Sequence, residues 1–187
     1  MNCLFVIVAV ALSGPPNANP RALPPGAVPS GNVREQVETY LSTIDVAVNA
    51  QQWQALGPDA AAVLMEIASS VQALPLRRAR AVEALGMRKD AAAAALVNKL
   101  AASASESRSV RMAAVRAVPR LAKDAAAAQA ALTPLLQDKD VQLRAATAGV
   151  LSGLGAGGCK AVSQRLQRES GEERALIERN AAACRKP

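Results

Sequence analysis

The chain has 187 residues, 51% of them apolar, with one Phe, one Tyr, one Trp, no histidine and a formal charge of +7. The lack of histidine excludes imidazole acid–base chemistry and histidine-ligated metal, and the scarcity of aromatic and β-branched runs argues against a sheet protein. Abundant alanine, the strongest helix former, points to an all-α fold of closely approaching helices.

Residues 3–12 form an apolar run of about ten residues, half of the ~20 needed to span a bilayer. Residues 1–13 therefore read as a signal peptide, with export to a periplasm or the exterior. Ala11 and Ser13 satisfy the small-residue rule for cleavage before Gly14, but no Lys or Arg precedes the run, so a cytoplasmic location is the alternative. Cys3 precedes the run instead of following it and is not a lipoprotein acceptor. Residues 14–31 hold Pro15, Pro16, Pro20, Pro24, Pro25 and Pro29, which remove backbone donors and make an extended linker. Residues 32–187 then form the folded domain.

Asn32 and Glu35 have capping-box spacing and open a first helix that runs to about residue 45. A short second helix carries Trp53 and Leu56 before Gly57 and Pro58 stop it. Trp53-x-x-Leu56-Gly57 matches the opening of a tetratricopeptide repeat, but Ala60, Ser69 and Ala73 stand where that motif wants Tyr, Ala and Phe. Trp53 reads as a core plug. Four helix pairs follow, at about 59–72 with 75–87, 91–103 with 107–122, 125–137 with 140–154, and 158–168 with 171–184. Asp59, Asp90, Asp124 and Asp140 sit where N-caps are needed, and Ser170 with Glu173 makes another capping box. Pro119 and Pro134 fall late in their helices and predict kinks or early ends. Gly153, Gly155, Gly157 and Gly158 read as a hinge or C-cap.

Arg78, Arg111 and Arg144 recur every 33 residues, each followed in register by Ala81, Ala114 or Thr147, by Ala84, Ala117 or Val150, and by Leu85, Val118 or Leu151. Fixed-period self-similarity is the sequence mark of stacked supersecondary units. The pattern Leu56-Gly57-Pro58-Asp59-Ala60 with Val63, Leu64 and Ile67, then Arg-x-x-Ala-x-x-Ala-Leu closed by Gly86 or Gly155, resembles compact bacterial HEAT-like repeats over about residues 53–184. The resemblance implies an all-α, right-handed solenoid of antiparallel helical hairpins whose second helices line a concave surface. It also implies that the repeated arginines Arg78, Arg111 and Arg144 pair with acids or carbonyls of a neighbouring repeat. A structural role is expected for them, because they follow the repeat and not a single site.

Charge is uneven: −3 over residues 1–74, +8 over 75–123 and +2 over the remainder. Arg116, Arg120 and Lys123, at i, i+4 and i+7, lie opposite the apolar face of their helix, and Arg77, Arg80 and Arg88 make a looser stripe on the helix before. Either these residues keep an apolar protein solvated, or, on the solenoid that the resemblance implies, they merge into a basic groove for an anionic partner. The stripe lacks interleaved aromatics for stacking bases. Cys159 and Cys184 occupy the facing helices of the last pair with a stagger of about four residues, roughly 6 Å, near the limit for a disulfide. Two buried thiols are the alternative. No P-loop, nucleophile elbow or dinucleotide fingerprint occurs, so no catalytic, cofactor or metal residues are assigned. The expectation is a non-enzymatic, exported binding or scaffold module with a protein partner. The alternatives are a basic module for an anionic polymer or surface, nucleic acid included, and, from resemblance alone, a relative of HEAT-like lyases or DNA glycosylases.

Overall fold

The structure is a computed structural model that describes residues 28–43 and 47–185; the expected signal peptide and most of the expected linker lie outside the described residues. Ten α-helices follow one another among these: α1 Val33–Ser42, α2 Ala50–Ala55, α3 Ala60–Ser69, α4 Pro75–Arg88, α5 Ala94–Ala102, α6 Arg108–Leu121, α7 Ala125–Leu132, α8 Val141–Ser152, α9 Ala156–Leu166 and α10 Gly171–Asn180. Short 3-10 segments at Ala91–Ala93, Thr133–Gln137 and Ala182–Arg185 precede α5, extend α7 and follow α10. The described residues contain no strand, and none of their helices is long and apolar enough to cross a membrane.

The helix starts follow local chemistry in part. Asn32 and Glu35 form the expected capping box, and Asn49 with Gln52 forms a second one that opens α2. Asp124 and Asp140 accept the backbone N–H of Ala127 and Gln142. Three expected caps are not made. Asp59 already has helical backbone angles, φ −65° and ψ −21°, outside the extended region from which a cap side chain folds back. Asp90 instead accepts from Arg88 Nε at 2.7 Å. Glu173 accepts from Arg144 Nη2 at 2.6 Å, which leaves Ser170 without its box partner. In each of these two cases a guanidinium outcompetes a backbone amide, as charge-assisted bonds do.

The two prolines act differently. Pro134 sits at the start of the Thr133–Gln137 segment, where the α-turn ends at Leu132 and tightens to 3-10 geometry. Pro119 lies in the last turn of α6, which nevertheless runs on to Leu121 and is closed by a bond from Ala122 N–H to the Val118 carbonyl.

Packing runs in a regular order. α3 packs on α4, α5 on α6, and α9 on α8; α4 also packs on α6, α6 on α8, and α8 on α10. The inner faces are mostly alanine, valine and leucine, with Ala81, Val82, Leu85, Val110, Ala114, Leu143 and Leu151 fully buried. At the start of this row Tyr40 and Trp53, both buried, meet edge to face with centroids 5.2 Å apart. The Trp53 Nε1 donor is buried and has no hydrogen-bond partner among the described residues, so the ring acts as an apolar plug.

Glycine placement corrects the expectation of helix ends. Gly86 lies inside α4, where a Cβ would come within 2.9 Å of Ala117 Cβ, so it is the contact through which α4 and α6 approach. The end of α4 is made by Lys89, a non-glycine residue in left-handed conformation at φ 60°. Gly158 lies inside α9, and a Cβ there would stand 2.0 Å from the Leu151 carbonyl oxygen of α8. Its neighbour Gly157 would meet only the end of the Gln129 side chain, which can move. Gly158→Ala should therefore destabilise the fold by about 1–3 kcal/mol through forced backbone displacement, despite alanine's better helix propensity. Gly157→Ala should be neutral to within about 0.5 kcal/mol, and urea unfolding of the two variants separates these outcomes.

Candidate functional site

Arg78, Arg111 and Arg144 are buried, although each carries a full charge. The first two make the same pair of contacts. Arg78 Nε donates to the Ala68 carbonyl, 2.9 Å away at the end of α3, and its Nη2 reaches Glu106 Oε1 at 2.8 Å in the turn before α6. Arg111 Nε donates to the Ala101 carbonyl, 3.1 Å away at the end of α5, and its Nη2 reaches Asp138 Oδ2 at 2.5 Å in the turn before α8. Each guanidinium thus ties the end of the preceding helix to the next interhelical turn.

Arg144 departs from this pattern. The 3-10 ending of α7 replaces an α-helical C-terminus, and Arg144 Nη1 donates to the carbonyls of Asp138 and Lys139 at 2.9 and 3.2 Å. Its outward contacts are stronger: Nε and Nη2 grip Glu169 at 2.7 and 3.2 Å, and Nη2 also binds Glu173. Asp138 joins two of these sites, since its carboxylate accepts from Arg111 and its carbonyl from Arg144.

The acids follow their arginines by 28, 27 and 25 residues. These unequal intervals depart from the 33-residue spacing of the arginines themselves. Burial alone would raise the Asp138 carboxyl, but hydrogen bonds from Arg111 and the Asp140 N–H, with the Arg111 charge, hold it below the ordinary range. Burial likewise opposes ionisation of Glu169, and the hydrogen bonds and charges of Arg144 and Arg165 overcome it.

The two sets of cations that a merged basic groove would join are treated differently by the structure. Arg77 pairs with Glu38. Arg80 donates to the carbonyls of Leu41 and Thr43, tying α4 to the end of α1. Arg88, whose side chain is 5% exposed, binds Asp90 and the carbonyls of Trp53 and Gly57. Arg80 and Arg88 serve internal contacts, and Arg77 is held by Glu38 in a half-exposed pair, so the three do not continue an unpaired basic stripe. The longer arginine side chains reach back over neighbouring helix ends, which the helical wheel of α4 alone does not reveal. Arg116, Arg120 and Lys123 are exposed on and just after α6; Arg116 pairs with Glu83 at the surface and Lys123 lies 4.0 Å from Asp124.

Cys159 of α9 and Cys184 are joined as a disulfide with Cα atoms 5.3 Å apart. The stagger expected of two straight helices is removed because α10 ends at Asn180 and the chain turns into the Ala182–Arg185 segment. No group of three or more Cys, Asp or Glu side chains among the described residues is placed to hold a metal ion. No family model, curated protein or solved structure matches the chain.

Two predictions follow from the buried guanidinium contacts. Arg111→Ala leaves Asp138 without its cation, with only the Asp140 N–H still donating to it, and the Ala101 carbonyl without the guanidinium; it should cost about 3 kcal/mol in urea unfolding, whereas Arg116→Ala, which breaks an exposed pair, should cost less than about 1 kcal/mol. Because Asp138 and Glu169 have lowered folded values, their stabilisation is complete above the unfolded carboxylate range and is lost as pH falls through the folded values. The melting temperature should be level from about pH 7 to 5 and drop below about pH 4, with a shallower drop in Arg111→Ala.

Proposed function

We propose that this chain is a non-enzymatic, HEAT-like α-solenoid of antiparallel hairpins, exported from the cell, that acts as a binding or scaffold module for a macromolecular partner. The observation that carries this reading is the shared contact of Arg78 and Arg111, each joining one helix end to the turn of the next unit. Arg144 continues the series with its own acids. Such contacts couple neighbouring units and hold an elongated surface of second helices in fixed register. On this reading the surface is the row α4, α6, α8, α10, in which each helix packs on the next. The Cys159–Cys184 pair supports export, since disulfides persist in oxidising compartments.

A second reading, a basic module for an anionic polymer or surface, rests on Arg116, Arg120 and Lys123, which remain exposed on one helix of a chain with charge +7. Its affinity would fall with added salt. The set is smaller than the sequence suggests, because Arg77, Arg80 and Arg88 are held by contacts within the chain.

The two readings part in a crosslinking experiment with the full chain in its native cell fractions. A photoreactive residue at Arg116 should trap one discrete protein, and a photoreactive residue at Lys160 on α9 should not. Intact mass should show loss of the first 13 residues and alkylation of Cys159 and Cys184 only after reduction. Trapping of nucleic acid or glycan alone, abolished by changing Arg116, Arg120 and Lys123 to Glu, would replace the first reading with the second. A full-length mass with free thiols would remove export.

A further inference from the structure

An open groove of about 520 Å³ lies between α5 and α7, over the last turn of α6. Its wall and floor are apolar, with Ala94 of α5, Ala127 and Ala131 of α7, and Val118 and Leu121 of α6. Three cations line it: Lys89, just beyond α4, Arg120 in the last turn of α6, and Lys123 in the turn before α7. Among the described residues no carboxylate lines the groove. The nearest acid to Lys123 is Asp124, at 4.0 Å, and that carboxylate already accepts the Ala127 N–H at the start of α7. Lys89 and Arg120 have no ion pair among the described residues, in contrast to Arg88, which Asp90 neutralises.

The charge is gathered at one end. α4 packs on α6, and a Cβ at Gly86 would lie 3.7 Å from Arg120 Cδ, so Arg120 sits beside the last turn of α4, close to Lys89. Lys123 follows α6 two residues beyond its end. From that end the groove runs from Ala91 in the 3-10 segment before α5 to Asn98 within α5, roughly 10 Å at the helical rise. A polyanion fits a row of cations, whereas one cationic end with an apolar trough fits a single anionic head and a linear apolar tail. Mostly apolar clefts of this size with a few convergent polar groups suit small ligands.

We propose that this groove binds a medium-chain alkyl carboxylate of about eight to ten carbons, with its carboxylate among Lys89, Arg120 and Lys123 and its chain on Ala94, Val118, Leu121 and Ala127. The head is held by charge-assisted contacts in part-exposed surroundings, so binding weakens as salt rises. The site shares Arg120 and Lys123 with the exposed cations of the α6 face but does not include Arg116.

The test is a nuclear magnetic resonance titration of the isotope-labelled full chain with octanoate below its micelle concentration. Amides of residues 91–98 and 127–131 should shift, and decanoate should bind about tenfold tighter than octanoate, as two further buried methylenes require. Octyltrimethylammonium, with the same tail and opposite charge, should leave these amides unmoved. The double change Arg120→Gln and Lys123→Gln removes two exposed charges, should leave the melting temperature unchanged, and should weaken octanoate binding about tenfold. Ala127→Glu, which places a carboxylate in the trough, should abolish it. Absence of shifts, equal shifts with the cationic detergent, or competition by a tetraglutamate peptide with no dependence on alkyl length would each overturn the proposal. Octanoate binding without crosslinking at Arg116, or the reverse, separates this site from the partner surface.

Discussion

The fold depends on how it accommodates three buried guanidinium groups. A buried charge is costly unless it is paired and its hydrogen bonds are met. Arg78 and Arg111 meet that condition only if a helix end and the next interhelical turn are both in place, because their acceptors come from both. The cost of a misplaced turn is therefore a stranded charge. Apolar packing between alanine-rich faces is forgiving of small shifts along the helix, whereas a forked donor set with fixed acceptors is not. The arginines specify register, and the alanine and valine faces supply most of the burial.

This division of labour also explains why the two ends of the row differ. At the start, no arginine is available one period before Arg78, where the chain has Asp45. The aromatic pair of Tyr40 and Trp53 fills the end instead, and Arg80 and Arg88 fasten α4 to the carbonyls of the first two helices. At the other end, Arg144 draws on Glu169 and Glu173 together, and Arg165 adds a second cation to Glu169. There the Cys159–Cys184 link holds the final segment against α9. Three cations that a linear reading leaves on a solvated face or in a basic groove, Arg77, Arg80 and Arg88, are used to close the N-terminal end.

What remains outward is limited to a few places. The α6 face carries Arg116, Arg120 and Lys123, and the neighbouring groove between α5 and α7 adds Lys89. The turn between α3 and α4 exposes Val71 and Leu74 and the first turn of α4 exposes Leu76, whereas the turns before α6 and α8 are polar.

The sequence by itself determined the helical class and the position of nearly every helix, because alanine content, apolar periodicity and cap residues act within a few residues of chain. It also determined which arginines recur, since the 33-residue interval is visible by inspection. It did not determine their acceptors. Glu106, Asp138 and Glu169 follow at unequal intervals, and only the folded turns bring them to the guanidinium groups. The same holds for Glu173, whose cap position is overruled by Arg144, adjacent only in space, whereas Asp90 is taken by Arg88 two residues before it. Gly86 and Gly158 read as helix ends, yet their use is to let two backbones approach. Local propensities are encoded residue by residue, but the choice among competing partners for a charge, and the space left for a side chain, exist only once separate helices have met.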